Sequence, residues 1–343
     1  MDHEPDGTPV RRGSGCLTHV LKGGPARRRR ERPMPYDLPP PDPKRRFLVP
    51  RPVWAWVGVA CLVMQFLLYS AWLADHGYRL ATPRPSDGSL FPLITQTIVC
   101  GMYVMILFFG GIVLVRQRLR MGVALGAAIV FALWLEPLAN VAGLIIEYNA
   151  NAVGPASSWA PYLPGWQGPA RHHATHQPLT LVPAWVGGTV AGVLYGEGLI
   201  RHRRRHPDMS TRRFIALLVI SSVAVVNLQD PLFFALGFVR YDKGIDGFTL
   251  WPGTWHQFPL HETLAFSMLM IGFVGFYCWY RLHGGDFLRP ASTGPRTLRR
   301  AVPFLAVIGV ANFVTFCYIA VLVLCGLAAT ITPAELPGFW SSP

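Results

Sequence analysis

Residues 121–147 read MGVALGAAIVFALWLEPLANVAGLIIE, a run with no basic residue and no charge of any kind before Glu136. At 1.5 Å of rise per residue, about 20 apolar residues in a helix cross a hydrocarbon layer roughly 30 Å thick. This stretch therefore decides the class, and six more of the same character flank it. The expected spans are 53–74, 92–115, 121–147, 179–200, 213–239, 259–280 and 302–327. Composition agrees, because 51% of the chain is hydrophobic and only 14% is charged, whereas soluble domains carry about 25% charged residues. The fold class is expected to be all-α, a polytopic transmembrane bundle of about seven helices.

A net charge of +13 and a pI near 9.9 invite a nucleic-acid reading, but the placement of the charges argues against one. Around the expected spans, 26 Lys and Arg fall on one side and only Arg79, Arg84, Arg171, Arg240 and Lys243 on the other. The positive-inside rule then puts the N-terminus in the cytoplasm and the C-terminus outside. The basic excess is topology and attraction to the inner leaflet, so membrane lipids rather than nucleic acid are the expected partners.

Three segments are expected. Residues 1–51 hold the basic run Arg27 to Arg30 and many prolines with little apolar periodicity, so they are read as a disordered cytoplasmic tail. Residues 52–330 form the transmembrane domain, and 331–343 a short outer tail. The first apolar stretch begins near Val53 and is long enough to span, so no signal peptide is expected. Cys61, Cys100, Cys278, Cys317 and Cys325 lie in apolar spans without a C-x-x-C pair and are read as small hydrophobes.

The informative residues are polar groups inside the spans, because a carboxyl at mid-bilayer costs at least ~2.5 kcal/mol and is a functional candidate by default. In the third span, Trp134-Leu-Glu136-Pro137-Leu-Ala-Asn140 places Glu136 near the middle. At about 100° per residue, Asn140, Gly143 and Glu147 fall within roughly 40° of it, so one stripe gathers the polar groups and should face the bundle interior. The fifth span repeats the pattern in Asn227-Leu-Gln-Asp230-Pro231, with Asn227 and Asp230 sharing a face. Each proline lacks a backbone donor and frees a carbonyl one turn back, giving a kink beside an acid. The bland alternative is interhelical hydrogen bonding. At the start of the sixth span, His261 and Glu262 are adjacent and diverge by about 100°, so one of the two should face the interior. Glu262 also suits the positive first turn of a helix.

Other polar residues are read as structural. Asp75 and His76 suit a solvated boundary. Glu197 suits an end-of-helix ion pair with Arg201 or Arg203, and Gln65 and Asn312 suit helix packing. The groups His172-His173-x-x-His176 and His202-x-x-x-His206 fall on opposite sides of the expected topology, so no metal site is expected.

The seven-span layout, with Trp134 to Asn140, Asn227 to Pro231 and His261-Glu262-Thr-Leu-Ala-Phe266, resembles the AveC-like spirocyclases over roughly residues 50–330. These are polytopic bacterial membrane proteins associated with spiroketal formation in avermectin-type polyketides. The resemblance implies an enzyme of the bacterial cytoplasmic membrane acting on a hydrophobic, polyketide-like small molecule. Closing a spiroketal on a dihydroxy-ketone needs an acid and a base and no redox cofactor, so none is expected. Glu136, Asp230, Glu262 and His261 are the candidate catalytic residues. Asn140, Asn227, Trp134 and Glu147 are the candidates for holding substrate. Glu136 and Asp230 are expected to share the acid and base work across the third and fifth helices. An intramembrane cyclase or isomerase of polyenes or other lipids would use the same acids. A proton-coupled transporter would also place carboxyls and proline-broken helices at the midplane.

Overall fold

The computed structural model describes residues 50–75, 91–148, 154–155, 157–169, 179–235, 237, 239–283, 286–290 and 294–335. Of residues 91–93, 95–96 and 229–235 it describes the backbone alone. Of the expected tail at 1–51, residues 1–49 lie outside the described residues, as do residues 336–343 of the expected outer tail at 331–343.

Helices occupy all seven expected stretches. They are α1 (Arg51–Ala74), α2 (Phe91–Arg116), α3 (Arg120–Ala128), α4 (Leu181–Arg205), α5 (Thr211–Ala235), α6 (Leu260–His283) and α7 (Arg296–Ala328). Five of them, α1, α2, α5, α6 and α7, are long and apolar enough to cross a membrane. A bent pair over 120–140 would make a sixth. Helix α4 is long enough but carries five glycines, Glu197 and a basic C-terminal turn, and it is largely enclosed by α2, α3 and α6.

The third stretch departs from expectation. Instead of one helix over 121–147, α3 ends at Ala128 and the chain continues as two 3-10 turns, Ile129–Phe131 and Leu133–Asn140, the second bent by 44° from the axis of Arg120–Phe131. Pro137 has no N–H for an α-helical bond and crowds the carbonyl of Leu133, which favours the tighter winding of the second turn. Carbonyls in such a segment need other donors. Asn312 Nδ2 on α7 donates to the Phe131 carbonyl at 3.1 Å, and Trp159 Nε1 donates to the Trp134 carbonyl at 2.9 Å. The expected polar stripe is overturned by the same geometry. At 3.0 residues per turn, position i+4 lies about 120° from i, so Asn140 leaves the face of Glu136. Gly143 then takes φ +127°, a conformation suited to glycine, and the chain reverses into β1 (Ile146–Tyr148).

Strand β1 pairs antiparallel with β2 (Val239–Tyr241), in the register Ile146 to Tyr241, Glu147 to Arg240 and Tyr148 to Val239. A second short pair joins β3 (Thr249–Leu250) to β4 (Phe258–Pro259) just before α6. These strands and the segment 157–169 form a cap over one end of the bundle. Trp72 Nε1 donates to Ser157 Oγ at 3.1 Å, Tyr162 donates to Asp75 at 2.6 Å, and Gly244 bridges to Ile331. Helix α7 is the central post, packed against α1, α6 and the 3-10 turns. Its contact with α1 depends on paired glycines: a Cβ on Gly309 would lie 2.0 Å from the Trp54 carbonyl, and one on Gly58 would lie 2.1 Å from that of Leu305.

Candidate active site

Under the cap, a partly open cavity of about 460 Å³ is lined by α4, α6, the second 3-10 turn, β1 and β2, with residues of α2, α3, α5 and α7. Its volume lies within the range of small-molecule sites. The lining is mostly apolar and, among the described residues, includes no lysine or arginine. Two carboxyl groups, Glu136 and Glu262, enter it.

Glu136 is brought in by the 3-10 winding and is 4% exposed. Its Oε1 accepts the Tyr148 hydroxyl at 2.5 Å. Strand periodicity explains why Tyr148 is available. Ile146 and Tyr148 on β1, with Val239 and Tyr241 on β2, all line the cavity, while Glu147 and Arg240 alternate to the other face. Burial first, then the adjacent Glu136 carboxylate, holds the Tyr148 phenol well above its ordinary range, so it remains an O–H donor.

Glu262, 3% exposed, projects from the first turn of α6, where the helix dipole favours negative charge. Its Oε1 accepts the Tyr318 hydroxyl from α7 at 3.0 Å, and Tyr241 is a second donor. Tyr318 is held by Phe266 and Trp185, with ring centroids 5.8 and 6.4 Å away. The Glu262 charge also acts on Tyr148, after burial and Glu136. Two proton-carrying groups, each oriented by neutral donors, thus face an apolar space.

The match covers residues 116–343, 228 of the 343 in the chain, and is to the family described as spirocyclase AveC-like. The chain belongs to the AveC-like spirocyclase family. That membership makes it a cyclase, and the matched region contains both carboxyls and all three tyrosines that hold them. No curated protein and no solved structure matches the chain.

Of the residues singled out from sequence, the structure brings Glu136 and Glu262 into this cavity of the spirocyclase. Asp230 lies on α5, but its side chain falls outside the described residues. His261 is buried beside Glu262 without lining the cavity, and its Nδ1 has no hydrogen-bond partner among the described residues. Asn140 staples the reversal into β1. Its Oδ1 accepts the amides of Ile145 and Ile146 at 2.7 and 2.9 Å, and its Nδ2 donates to the Ile146 carbonyl at 2.9 Å. Glu147 is ion-paired with Arg240 on the face away from the cavity. Trp134 donates from Nε1 to Asn312 Oδ1 at 2.8 Å, a packing bond between the 3-10 turn and α7. Asn227 is exposed on α5 and donates to its own helix at Val223.

Glu197 pairs with Arg281 of α6 at 2.7 Å and accepts from Tyr277, rather than meeting Arg201 or Arg203 as expected. The rings of His202 and His206 lie against each other with centroids 4.4 Å apart and a 35° tilt, while His172, His173 and His176 lie outside the described residues. The tyrosines escaped the sequence reading because an aromatic residue in an apolar run reads as packing. The signal available was the alternation Ile146, Glu147, Tyr148, matched by Val239, Arg240, Tyr241.

Proposed function

We propose that the protein is an intramembrane spirocyclase of the bacterial cytoplasmic membrane that closes a spiroketal on a dihydroxy-ketone of polyketide type. Glu136 and Glu262 supply the acid and the base. The observation that carries this reading is the pair of buried carboxyls, each held by a tyrosine, entering one apolar cavity. The 26-to-5 basic asymmetry favours a cytoplasmic N-terminus.

The reaction is redox-neutral and releases one water. One hydroxyl of the substrate adds to its ketone, giving a hemiketal. One carboxyl, in its acid form, donates a proton to the hemiketal hydroxyl, which leaves as water. The remaining oxocarbenium ion is stabilised by the other carboxyl in its ionised form. The second hydroxyl attacks that carbon, and the ionised carboxyl takes its proton. Moving this proton back to the first carboxyl restores the starting state, and Tyr148 holds Glu136 in place by donating to its Oε1. General acid–base help of this kind contributes about 10² to 10⁴-fold. The apolar wall excludes water from the cation and sets the face of ring closure.

Incubating the purified protein with a dihydroxy-ketone polyketide and resolving the products by chiral chromatography tests the reading. One spiroketal configuration in excess over the uncatalysed mixture is the expected result. A product ratio unchanged by the protein would refute it.

A further inference from the structure

Helices α4 and α5 are consecutive, yet each packs on α6 rather than along the other. On α4, Gly192 meets Met270 and Val274 of α6, and Gly196 meets Tyr277. On α5, Leu218 lies against Gly275 of α6. A cleft therefore runs between α4 and α5 with α6 as its floor. Its inner end is the cavity, because Tyr195 of α4, Val225 of α5, and Met270 and Phe273 of α6 all line that space. Its outer end reaches the surface: Val225 is a wall residue and is also 37% exposed, flanked on α5 by the exposed Ile220 and Leu228.

The cleft is crossed by a hydrogen bond between Tyr195 and Ser221. The Ser221 hydroxyl gives its own proton to the Leu217 carbonyl, so Tyr195 is the donor across the cleft. The other exposed wall residue, Met102, belongs to α2, but α2 is seamed to α4. A Cβ on Gly110 would lie 2.4 Å from Val190, and one on Gly187 would lie 2.9 Å from the Tyr103 carbonyl. Of these two sides of α4, the one toward α5 is where a ligand can part the wall by breaking one hydrogen bond.

We propose that the α4–α5 cleft is a lateral portal through which an apolar small molecule dissolved in the bilayer reaches the Glu136–Glu262 cavity, with the Tyr195–Ser221 hydrogen bond as its crossbar. The portal rests on the intramembrane reading above. It also specifies the substrate class: a molecule that partitions into lipid and presents its hydroxyls only after passing an apolar threshold. Ser221 does not line the cavity, so substitution there acts on passage and reaches the wall only through the Tyr195 phenol that it holds.

The test uses the full-length protein in lipid nanodiscs with Nile red, a neutral apolar dye, followed by stopped-flow fluorescence. The cavity-bound signal is the part that Gly188→Leu abolishes. A Cβ at Gly188 meets nothing within 4 Å, so the larger side chain extends into the cavity. Ser221→Ala removes the crossbar and should raise association and dissociation rates together, several-fold, with Kd unchanged. Ser221→Trp fills the cleft and should lower both about tenfold, again at constant Kd. Rates unmoved by Ser221→Ala in a protein that binds the dye would overturn the portal and leave the Glu136–Glu262 reading standing. A wild-type protein with no Gly188-sensitive signal would overturn both, because the cavity would then not hold apolar ligands.

Discussion

The two ends of α6 each hold a buried glutamate, and the partners differ. At the N-terminal end, Glu262 is 3% exposed and accepts from the phenols of Tyr318 and Tyr241 beside an open cavity. At the C-terminal end, Glu197 of α4 is 1% exposed and is held by the Arg281 guanidinium and the Tyr277 hydroxyl. Burial therefore does not separate a chemical carboxyl from a structural one. The guanidinium supplies Glu197 with a fixed counter-charge. Phenols orient a carboxyl without neutralising it, which leaves it able to gain and lose a proton.

Replacing the cavity carboxyls gives the largest expected effect. Glu136→Gln and Glu262→Gln keep size and hydrogen-bonding capacity, so each should lower turnover about 10² to 10⁴-fold while leaving the thermal midpoint near that of the parent. Chiral chromatography of the products reads the first quantity and a melt in detergent reads the second. A Glu262→Gln protein with full turnover would place Glu262 with Glu197 and end the distinction between the two ends of α6.

The opposite signature is expected at the other end. Arg281→Met leaves Glu197 buried without its guanidinium and should destabilise the fold by about 3 to 5 kcal/mol. Adding Glu197→Leu removes the stranded carboxyl and should restore most of that loss, because apolar replacements of whole buried pairs are often close to neutral. Melts of the single and double variants decide this. Equal melts would mean that the pair is not coupled.

The helices were legible because span length and apolarity leave little choice, and six of the seven stretches follow their expected bounds to within six residues. Residues 129–148 were not. A proline in an apolar run signals a kink, but whether the chain resumes an α-helix depends on donors supplied from elsewhere, here Asn312 and Trp159. Three-residue strands such as β1 are too short to leave a periodic signature against an apolar background. Within the site, Glu136 and Glu262 stood out because carboxyls in apolar spans are costly. Their pairing was not legible, since it follows from the 3-10 winding that turns Glu136 into the cavity, which an apolar run with one proline does not announce.

A smaller effect is expected from the tyrosines. Hydrogen bonds to charged groups are worth about 1.5 to 3 kcal/mol, so Tyr148→Phe should lower turnover roughly ten- to a hundredfold. Tyr318→Phe should fall at the weak end of that range, because Tyr241 still donates to Glu262. The Tyr148 phenol is raised well above its ordinary range, so its ionisation does not shape the alkaline limb of activity. Tyr148→Phe should lower the rate across the pH profile without moving that limb. A shifted limb would show that Tyr148 itself exchanges the proton.

The smallest effect sharpens the contrast between the two acid-proline segments, which the sequence presents as equivalents with an asparagine one turn from each acid. Asn140 is 4% exposed and is the acceptor for two buried amides, whereas Asn227 is exposed and, among the described residues, bonds within its own helix turn. Asn140→Ala removes the acceptor of the Ile145 and Ile146 amides, which should cost about 1 to 3 kcal/mol and loosen the strand that positions Tyr148. Asn227→Ala should change stability by no more than about 0.5 kcal/mol and leave turnover unchanged. Parallel melts and turnover assays of the two variants make the comparison. Were Asn227→Ala to cost turnover without stability, the exposed face of α5 would carry a role in the reaction that its hydrogen bonding does not explain.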